Sequence, residues 1–245
     1  MTFLIVGGSS GVGRASAERF AAGRHPLCIV SSDRRDSLAL ASDLSLRWSI
    51  EAEAVEVDLA LPRPPLVEID AALSRLPPLR GILLCAGATQ ADDGPGQTAA
   101  DQEAITRVNY LAGCEIVNRY LPLLRRAGAE GLIVGFGSIA AARGRSRNAG
   151  YAAAKRALRA YFESLRHELA AAGVIVQFYT LGYIDTNLSF AHKIPLPAAS
   201  PRSLAERVYR RVGKDFGHAY YPAFWGPVCL AVRLLPWRIF RRLSF

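Results

Sequence analysis

The sequence predicts a doubly wound α/β fold, a Rossmann-like parallel sheet with helices on both faces in a single domain. Three observations predict it. Short apolar runs of strand length alternate with stretches of helical periodicity along most of the chain. The first of these runs ends in a glycine cluster that opens a helix, the usual entrance to such a sheet. And 245 residues, 51% of them hydrophobic, suffice for one sizeable core rather than two.

The strand-like runs, taken in order, are Phe3 to Val6, Leu27 to Ser31, Ala54 to Val57, Gly81 to Cys85, Gly131 to Phe136 and Val174 to Tyr179. Helical spacing covers Gly13 to Ala22, Ser37 to Leu46, Asp101 to Leu124 and Tyr151 to Ala172, with a further helix at Ser203 to Val212. Leu61 to Pro65 and the Gly/Asp-rich Ala91 to Gln97 read as loops. After the sixth strand the pattern loosens, and Pro195, Pro197 and Pro201 suit an irregular segment over a binding site. The reading therefore divides the domain into a core over 1–187, a lid and helix over 188–219, and a basic aromatic tail over 220–245. No internal repeat or low-complexity tract interrupts it.

The first strand begins almost at Met1 and leaves no room for a signal peptide, and no uncharged apolar run reaches the roughly 18 residues of a spanning helix. The net charge is +9, which favours anionic ligands or anionic surfaces, membranes and nucleic acid among them, without choosing between them. No nucleic-acid module is read. Cys28, Cys85, Cys114 and Cys229 lack metal-ligand spacing, so no metal site is expected and a reducing cytoplasm fits.

Chemistry first enters at Gly7-Gly8-Ser9-Ser10-Gly11-Val12-Gly13. Glycines here let the backbone approach a pyrophosphate, whose charge the N–H groups at a helix start favour; an ordinary Gly-rich turn is the competing reading. Past the second strand, Ser32-Asp33-Arg34-Arg35 lies near where a dinucleotide's ribose would sit. A carboxylate there suits NAD, whereas hydroxyls and an arginine suit the extra phosphate of NADP. Asp33 is a little late for the first role. Ser32 and Arg34 tip the reading toward NADP over NAD, with plain surface charge the alternative.

Tyr151 and Lys155 are one helical turn apart, a spacing that lets an ammonium lower the pKa of a phenol. A tyrosine so tuned can act as a general acid; a solvated helix face is the bland alternative. Ser138, read as ending the loop just past the fifth strand, can hydrogen-bond a substrate oxygen. Asn109 is a polar intrusion among Val108, Leu111 and Ile116 in a long predicted helix, either functional or satisfied by a nearby carbonyl.

Together these residues resemble the short-chain dehydrogenase/reductase family over Phe3 to about Leu188. Gly7-x-x-x-Gly11-x-Gly13 is similar to its cofactor fingerprint, Asp58-Leu59 to its adenine-contacting pair, and Cys85-Ala86-Gly87 to its Asn-Ala-Gly strand end. Asn109, Ser138, Tyr151 and Lys155 fall where the family keeps its catalytic tetrad. Gly182-Tyr183-Ile184-Asp185-Thr186 resembles the segment that holds the nicotinamide carboxamide, with Ile184 and Thr186 as contacts. Val6, Leu84, Cys85 and Leu181 depart from the family's usual Thr, paired Asn and Pro.

The resemblance implies that Tyr151 exchanges a proton with a carbonyl oxygen that Ser138 also binds. It implies that Lys155 holds the nicotinamide ribose and lowers the Tyr151 pKa, and that Asn109 holds a water. It further implies a homodimer or homotetramer. In the tail, Trp225, Trp237, Phe240 and Phe245 stand beside Arg233, Arg238, Arg241 and Arg242, with Pro236 between two pieces. That composition suits a membrane interface or packing on the subunit or a partner subunit.

With the lid-like Ala191-His192-Lys193, the tail is similar to the branch of the family that contains the decaprenylphosphoryl-ribose 2-epimerase reductase subunit. That likeness implies a hydrophobic or lipid-linked keto substrate at the inner membrane face. A soluble 3-oxoacyl thioester or small-ketone reductase remains the alternative within the enzyme class. A non-catalytic, cofactor-binding interaction protein remains the alternative outside it.

Overall fold

The computed structural model describes residues 1–9, 11–90, 93–186 and 198–243. Strand β1 (Thr2–Val6) is followed by α1 (Gly11–Ala22), β2 (Leu27–Ser31), α2 (Arg34–Trp48), β3 (Ala52–Glu56), α3 (Val67–Leu73) and β4 (Leu79–Leu84). The second half continues through α4 (Ala99–Thr106), a π-helical turn (Arg107–Leu111), α5 (Ala112–Ala127), β5 (Leu132–Ser138), α6 (Ala149–Leu169) and β6 (Ile175–Leu181). It closes with α7 (Pro201–Arg210), β7 (His218–Tyr221), α8 (Trp225–Leu234) and α9 (Trp237–Phe240).

The strands form one parallel sheet in the order β3-β2-β1-β4-β5-β6-β7. The chain order reverses between β1 and β4, and at such a switch point the helices diverge and leave a crevice beyond the strand ends. Alternation along β1 sends Leu4 and Val6 into one core and Phe3 and Ile5 into the other. Both faces of the strand are therefore covered, which is why it reads as an unbroken apolar run. Helix α6 is drawn onto the sheet by Phe162, whose ring lies where a Cβ on Gly135 would stand 2.4 Å from it. That close approach fixes how far along the sheet the start of α6 reaches.

The structure differs from the sequence reading in four places. The long helix expected from Asp101 to Leu124 is three pieces, with a π-helical turn at Arg107–Leu111 around Asn109. Ser138 is the last residue of β5, not a loop residue beyond it, because its backbone stays paired with Leu181 of β6. Helix α3 was unread, being only 7 residues long and preceded by Pro64 and Pro65. Strand β7 was unread too, because His218–Tyr221 is only partly buried and carries no apolar run. The border drawn between 219 and 220 falls inside that strand, so the start of the expected tail is sheet. The lid-like Ala191-His192-Lys193, Ser10 and Phe245 lie outside the described residues.

Candidate active site

The turn from β1 into α1 lies closer to its neighbours than a side chain allows. Gly7 has φ +79, and a Cβ there would stand 2.7 Å from the Ala86 backbone; at Gly13 it would stand 1.9 Å from the Gly7 carbonyl oxygen. The Ser9 and Ser31 hydroxyls share a 2.7 Å hydrogen bond, which ties the turn to the end of β2. Gly11 and Val12, the first residues of α1, line a cleft, and that helix has no acidic residue in its first turn. A pyrophosphate seated there would meet the positive helix end uncancelled. The residues present thus fit a dinucleotide.

The cleft has a volume of about 430 Å³, within the range of small-molecule sites. Besides Gly11 and Val12 it is lined by Ala86 and Gly87 past β4, Ser138, Tyr151, Lys155, and Ile184 and Thr186 past β6. The last segment is held in place by a bridge between Ile184 and Ala199, with Asp185 N donating to Ala199 O at 2.9 Å. Thr186 reaches back to α1, its Cγ2 being 3.1 Å from where a Gly11 Cβ would stand. Residues read from five separated stretches of sequence therefore meet around one space.

The Ser138 hydroxyl accepts a hydrogen bond from Ala140 N at 3.1 Å, so its own proton is left to donate elsewhere. Burial raises the Tyr151 pKa, and the hydrogen bond to Ser138 opposes this. Lys155 is 4% exposed; its Nζ donates to Ala86 O at 3.3 Å and stands 5.9 Å from the Tyr151 ring centre. Burial pushes its pKa down to about 8. Tyr151 therefore shows a raised pKa, set by burial, rather than the lowering expected from Lys155.

Asn109, 2% exposed, lies behind this wall rather than on it. Its Nδ2 donates to Ala88 O at 2.8 Å and to Ile105 O at 2.9 Å, and its Oδ1 accepts from Ala88 N at 3.2 Å. The side chain thus pins the chain after Gly87. The π-helical turn that displaces it from the regular helix is of a kind often found at functional sites.

The remaining sequence candidates fall outside the cleft lining. The Asp58 side chain accepts from Ala60 N at 2.9 Å past β3, and Leu59 packs into the core. Asp33 caps α2 by accepting from Asp36 N at 2.9 Å, while Ser32 and Arg34 are exposed beside it. Arg34 meets Glu56 only at 4.0 Å, a loose surface pair worth about 0–1 kcal/mol.

Three more residues build the site, of which Asp93 and Arg143 carry no signal in the sequence and Trp225 stands there only as an aromatic of the tail. Asp93, 3% exposed, accepts from Gly150 N at 2.7 Å and Tyr151 N at 2.8 Å and so starts α6, whose own N-cap residue Asn148 makes no side-chain cap. Trp225 packs its indole on Gly182, where a Cβ would stand 2.0 Å from its Nε1, and with Val228, Cys229 and Val232 it walls the cleft. Arg143 Nη1 donates to Val232 O at 3.0 Å and also to Leu235 O, and the guanidinium lies 4.0 Å from the Phe240 ring centre. It fastens α8 and α9 to the turn after Ser138.

Comparison with known proteins agrees with this architecture. The chain is 27% identical over 246 residues to an uncharacterized oxidoreductase of Mycobacterium tuberculosis, covering 98% of this chain and 96% of that one. It is 26% identical over 231 residues to the very-long-chain 3-oxoacyl-CoA reductase of Podospora anserina, covering 89% of this chain but only 66% of the fungal protein. The solved short-chain dehydrogenase from Sphingobium yanoikuyae in complex with NADPH superposes with a TM-score of 0.82, at 24% identity and with 99% and 96% of the two chains covered. The family model for short chain dehydrogenases matches residues 1–193, most of the chain, and on that match the chain belongs to the short chain dehydrogenase family.

Proposed function

We propose that this chain is an NAD(P)-dependent oxidoreductase acting on a carbonyl or secondary alcohol, with Tyr151, Ser138 and Lys155 at its reacting centre. The observation that carries the reading is the meeting of these three side chains with the start of α1 and the Ile184–Thr186 segment in one cleft. The bound nicotinamide supplies or takes up hydride at the carbonyl carbon. In the reductive direction the Tyr151 hydroxyl gives its proton to the carbonyl oxygen, and the Ser138 O–H turns from Tyr151 to donate a hydrogen bond to that oxygen as its charge grows. Lys155, held against Ala86 O, lies where it can bind the nicotinamide ribose. Asn109 acts through Ala88, holding the strand end against which the dinucleotide rests.

Tyr151→Phe is expected to leave NADPH affinity within about twofold and to lower turnover by about 10²–10⁴-fold, the range for losing a general acid. Near-wild-type turnover in that variant overturns the reading. The same measurement decides against a non-catalytic interaction protein. Ser32 and Arg34 favour NADP, and Asp33, the carboxylate between them, is engaged in capping α2. NADPH is expected to bind about tenfold more tightly than NADH, and Arg34→Ala to erase the difference.

The substrate proposed is hydrophobic, and a lipid-linked ketone at the inner membrane face fits best. Trp225, Val228 and Val232 give the cleft an apolar wall, and the outer side of α8 and α9 exposes Leu230, Leu234, Trp237 and Ile239. Arg233, Arg238, Arg241 and Arg242 accompany them, with no acidic residue after Asp215. No helix among the described residues is long and apolar enough to cross a membrane, so the contact is interfacial. Co-sedimentation with anionic vesicles is expected for the native chain and is lost in Trp237→Ser/Ile239→Ser; no binding by the native chain removes the membrane reading.

A 3-oxoacyl thioester reductase is the second reading, favoured by the similarity to the Podospora enzyme. Oxidation of NADPH by a long-chain 3-oxoacyl-CoA in the absence of vesicles selects it. A homodimer or homotetramer is proposed on family grounds, and light scattering decides it.

A further inference from the structure

Beside the catalytic cleft lies a second, half-open cavity of about 260 Å³, lined by α6, the ends of β5 and β6, the turn after Ser138, β7 and α8. The two spaces share Ser138, Lys155 and Cys229 in their walls. Arg156 and Arg159 line the second cavity from α6 and Arg233 lines it from α8; Glu163 is the sole carboxylate among its described lining residues. Glu163 is taken up by Arg159, which donates from Nε at 3.0 Å, and Arg156 gives one N–H to Ala142 O at 3.1 Å. Neither Arg156 nor Arg233 has a carboxylate partner among the described residues. The cavity thus gathers more cationic charge than its own carboxylate balances.

Burial pushes the His218 pKa down to about 4, with Arg159 adding to the fall and Glu163 opposing it, and the ring shares a 2.8 Å hydrogen bond with the Thr180 hydroxyl. Burial raises the Cys229 pKa while Arg233 and Arg159 both oppose the rise. Thr180 and Tyr220 add hydroxyls to the wall. Arginines from two helices thus line one small recess, and guanidinium groups suit a tetrahedral oxyanion, which accepts paired N–H bonds and offsets the repulsion among the cations.

We propose that this cavity binds a phosphate group, at a site separate from the one that holds a dinucleotide's phosphates. The inference goes beyond the carbonyl reaction and does not rest on it. The phosphate can come from a soluble phosphate ester or from a lipid headgroup, since the same fork recognises both. Because α8 forms one wall of both spaces, a group bound here steadies the helix that shapes the catalytic cleft.

The test titrates inorganic phosphate into the NADPH-saturated protein by calorimetry, against chloride at matched ionic strength. Saturable binding is expected for the native chain, about tenfold weaker in Arg159→Gln and in Arg233→Gln, and largely restored in Arg159→Lys. A second arm compares vesicles containing phosphatidic acid with neutral ones. Retention that falls in Arg159→Gln, whose residue lies on α6 and not on the outer tail, assigns the headgroup as the source. No saturable phosphate binding together with vesicle retention indifferent to Arg159→Gln overturns the site, as does phosphate binding equal in all variants, the mark of an adventitious ion only. NADPH affinity, followed by the cofactor's own fluorescence, is expected unchanged in the variants. A native chain that fails to bind NADPH sinks the proposed reaction instead, and the phosphate titration repeated without dinucleotide still decides this site.

Discussion

Replacing Asp93 by alanine removes the carboxylate that begins α6. Both of its oxygens are engaged, one by Gly150 N at 2.7 Å and the other by Tyr151 N at 2.8 Å, and the residue is almost fully buried. Asn148 at the helix start provides no substitute acceptor. A hydrogen bond to a charged group is worth about 1.5–3 kcal/mol and a helix cap about 1 kcal/mol. The freed N–H groups border a cleft that water can enter, which recovers part of the loss. The expected cost of Asp93→Ala is therefore about 2–3 kcal/mol in urea denaturation. Asp93→Asn, which keeps one acceptor oxygen and the shape, is expected to cost about half as much. One of the two N–H groups belongs to Tyr151 itself, so the loss also moves the acid relative to its target. Turnover is expected to fall about tenfold with KM for NADPH little changed, because small misplacement of a reacting group is costly. A variant within about 0.5 kcal/mol of native stability and with native turnover refutes the assignment of Asp93 as the positioning residue for Tyr151.

Three further outcomes follow from single contacts. Burial holds the His218 pKa at about 4 in the folded chain, against the ordinary 6.5, so the unfolded chain binds more protons between these values. The stability is fully present above about pH 6.5 and is lost as pH falls toward 4; His218→Gln is expected to flatten that limb in denaturation midpoints measured across the range. Asn109→Ala strands Ala88 N and two carbonyl oxygens and is expected to cost about 2–3 kcal/mol, with faster amide exchange at Ala88 as the local signature. Gly182→Ala drives a methyl into the Trp225 indole and is expected to displace α8, seen as a shift in tryptophan fluorescence and at least a tenfold rise in KM for a hydrophobic ketone.

What the sequence revealed was what acts locally. The apolar runs located β1 through β6 to within about two residues because a strand covered on both faces must be apolar throughout. The spacing of Tyr151 and Lys155, one turn apart on α6, survives in the folded chain with both in the cleft wall. What was hidden acts across distance. Asp93 caps a helix that starts 56 residues later, and nothing in Ala91 to Gln97 beyond a loop composition marks it. Asn109 looked like a weak point in one long helix because local propensity does not tell a helical interior from a π-helical turn. Its side chain is spent on Ala88, whose position depends on β4 rather than on any neighbour in sequence. Strand β7 was missed for the same reason: His218–Tyr221 becomes a strand by pairing with β6, not by its own pattern.

The C-terminal segment changes meaning most between sequence and fold. As composition it is a basic aromatic tail suited to a membrane interface or to packing on the subunit or a partner subunit; as structure it is a wall. Trp225, Cys229 and Val232 recur at helical spacing and turn inward to the cleft, whereas Leu230 and Leu234 on the same helix turn outward. Val228 belongs to both, lining the cleft while remaining 40% exposed, and so marks the seam where the cleft meets the outer face. Arg143 locks this helix to the turn after Ser138 by bonding carbonyl oxygens at its C-terminal end, where a cation also meets the negative end of the helix dipole. A helix held this way cannot shift on a surface without moving the Ser138 turn. If the outer face rests on a bilayer, contact with lipid and the shape of the reacting centre are therefore linked through one side chain. A hydrophobic ketone could then pass from lipid to Tyr151 along the Val228 seam without crossing water.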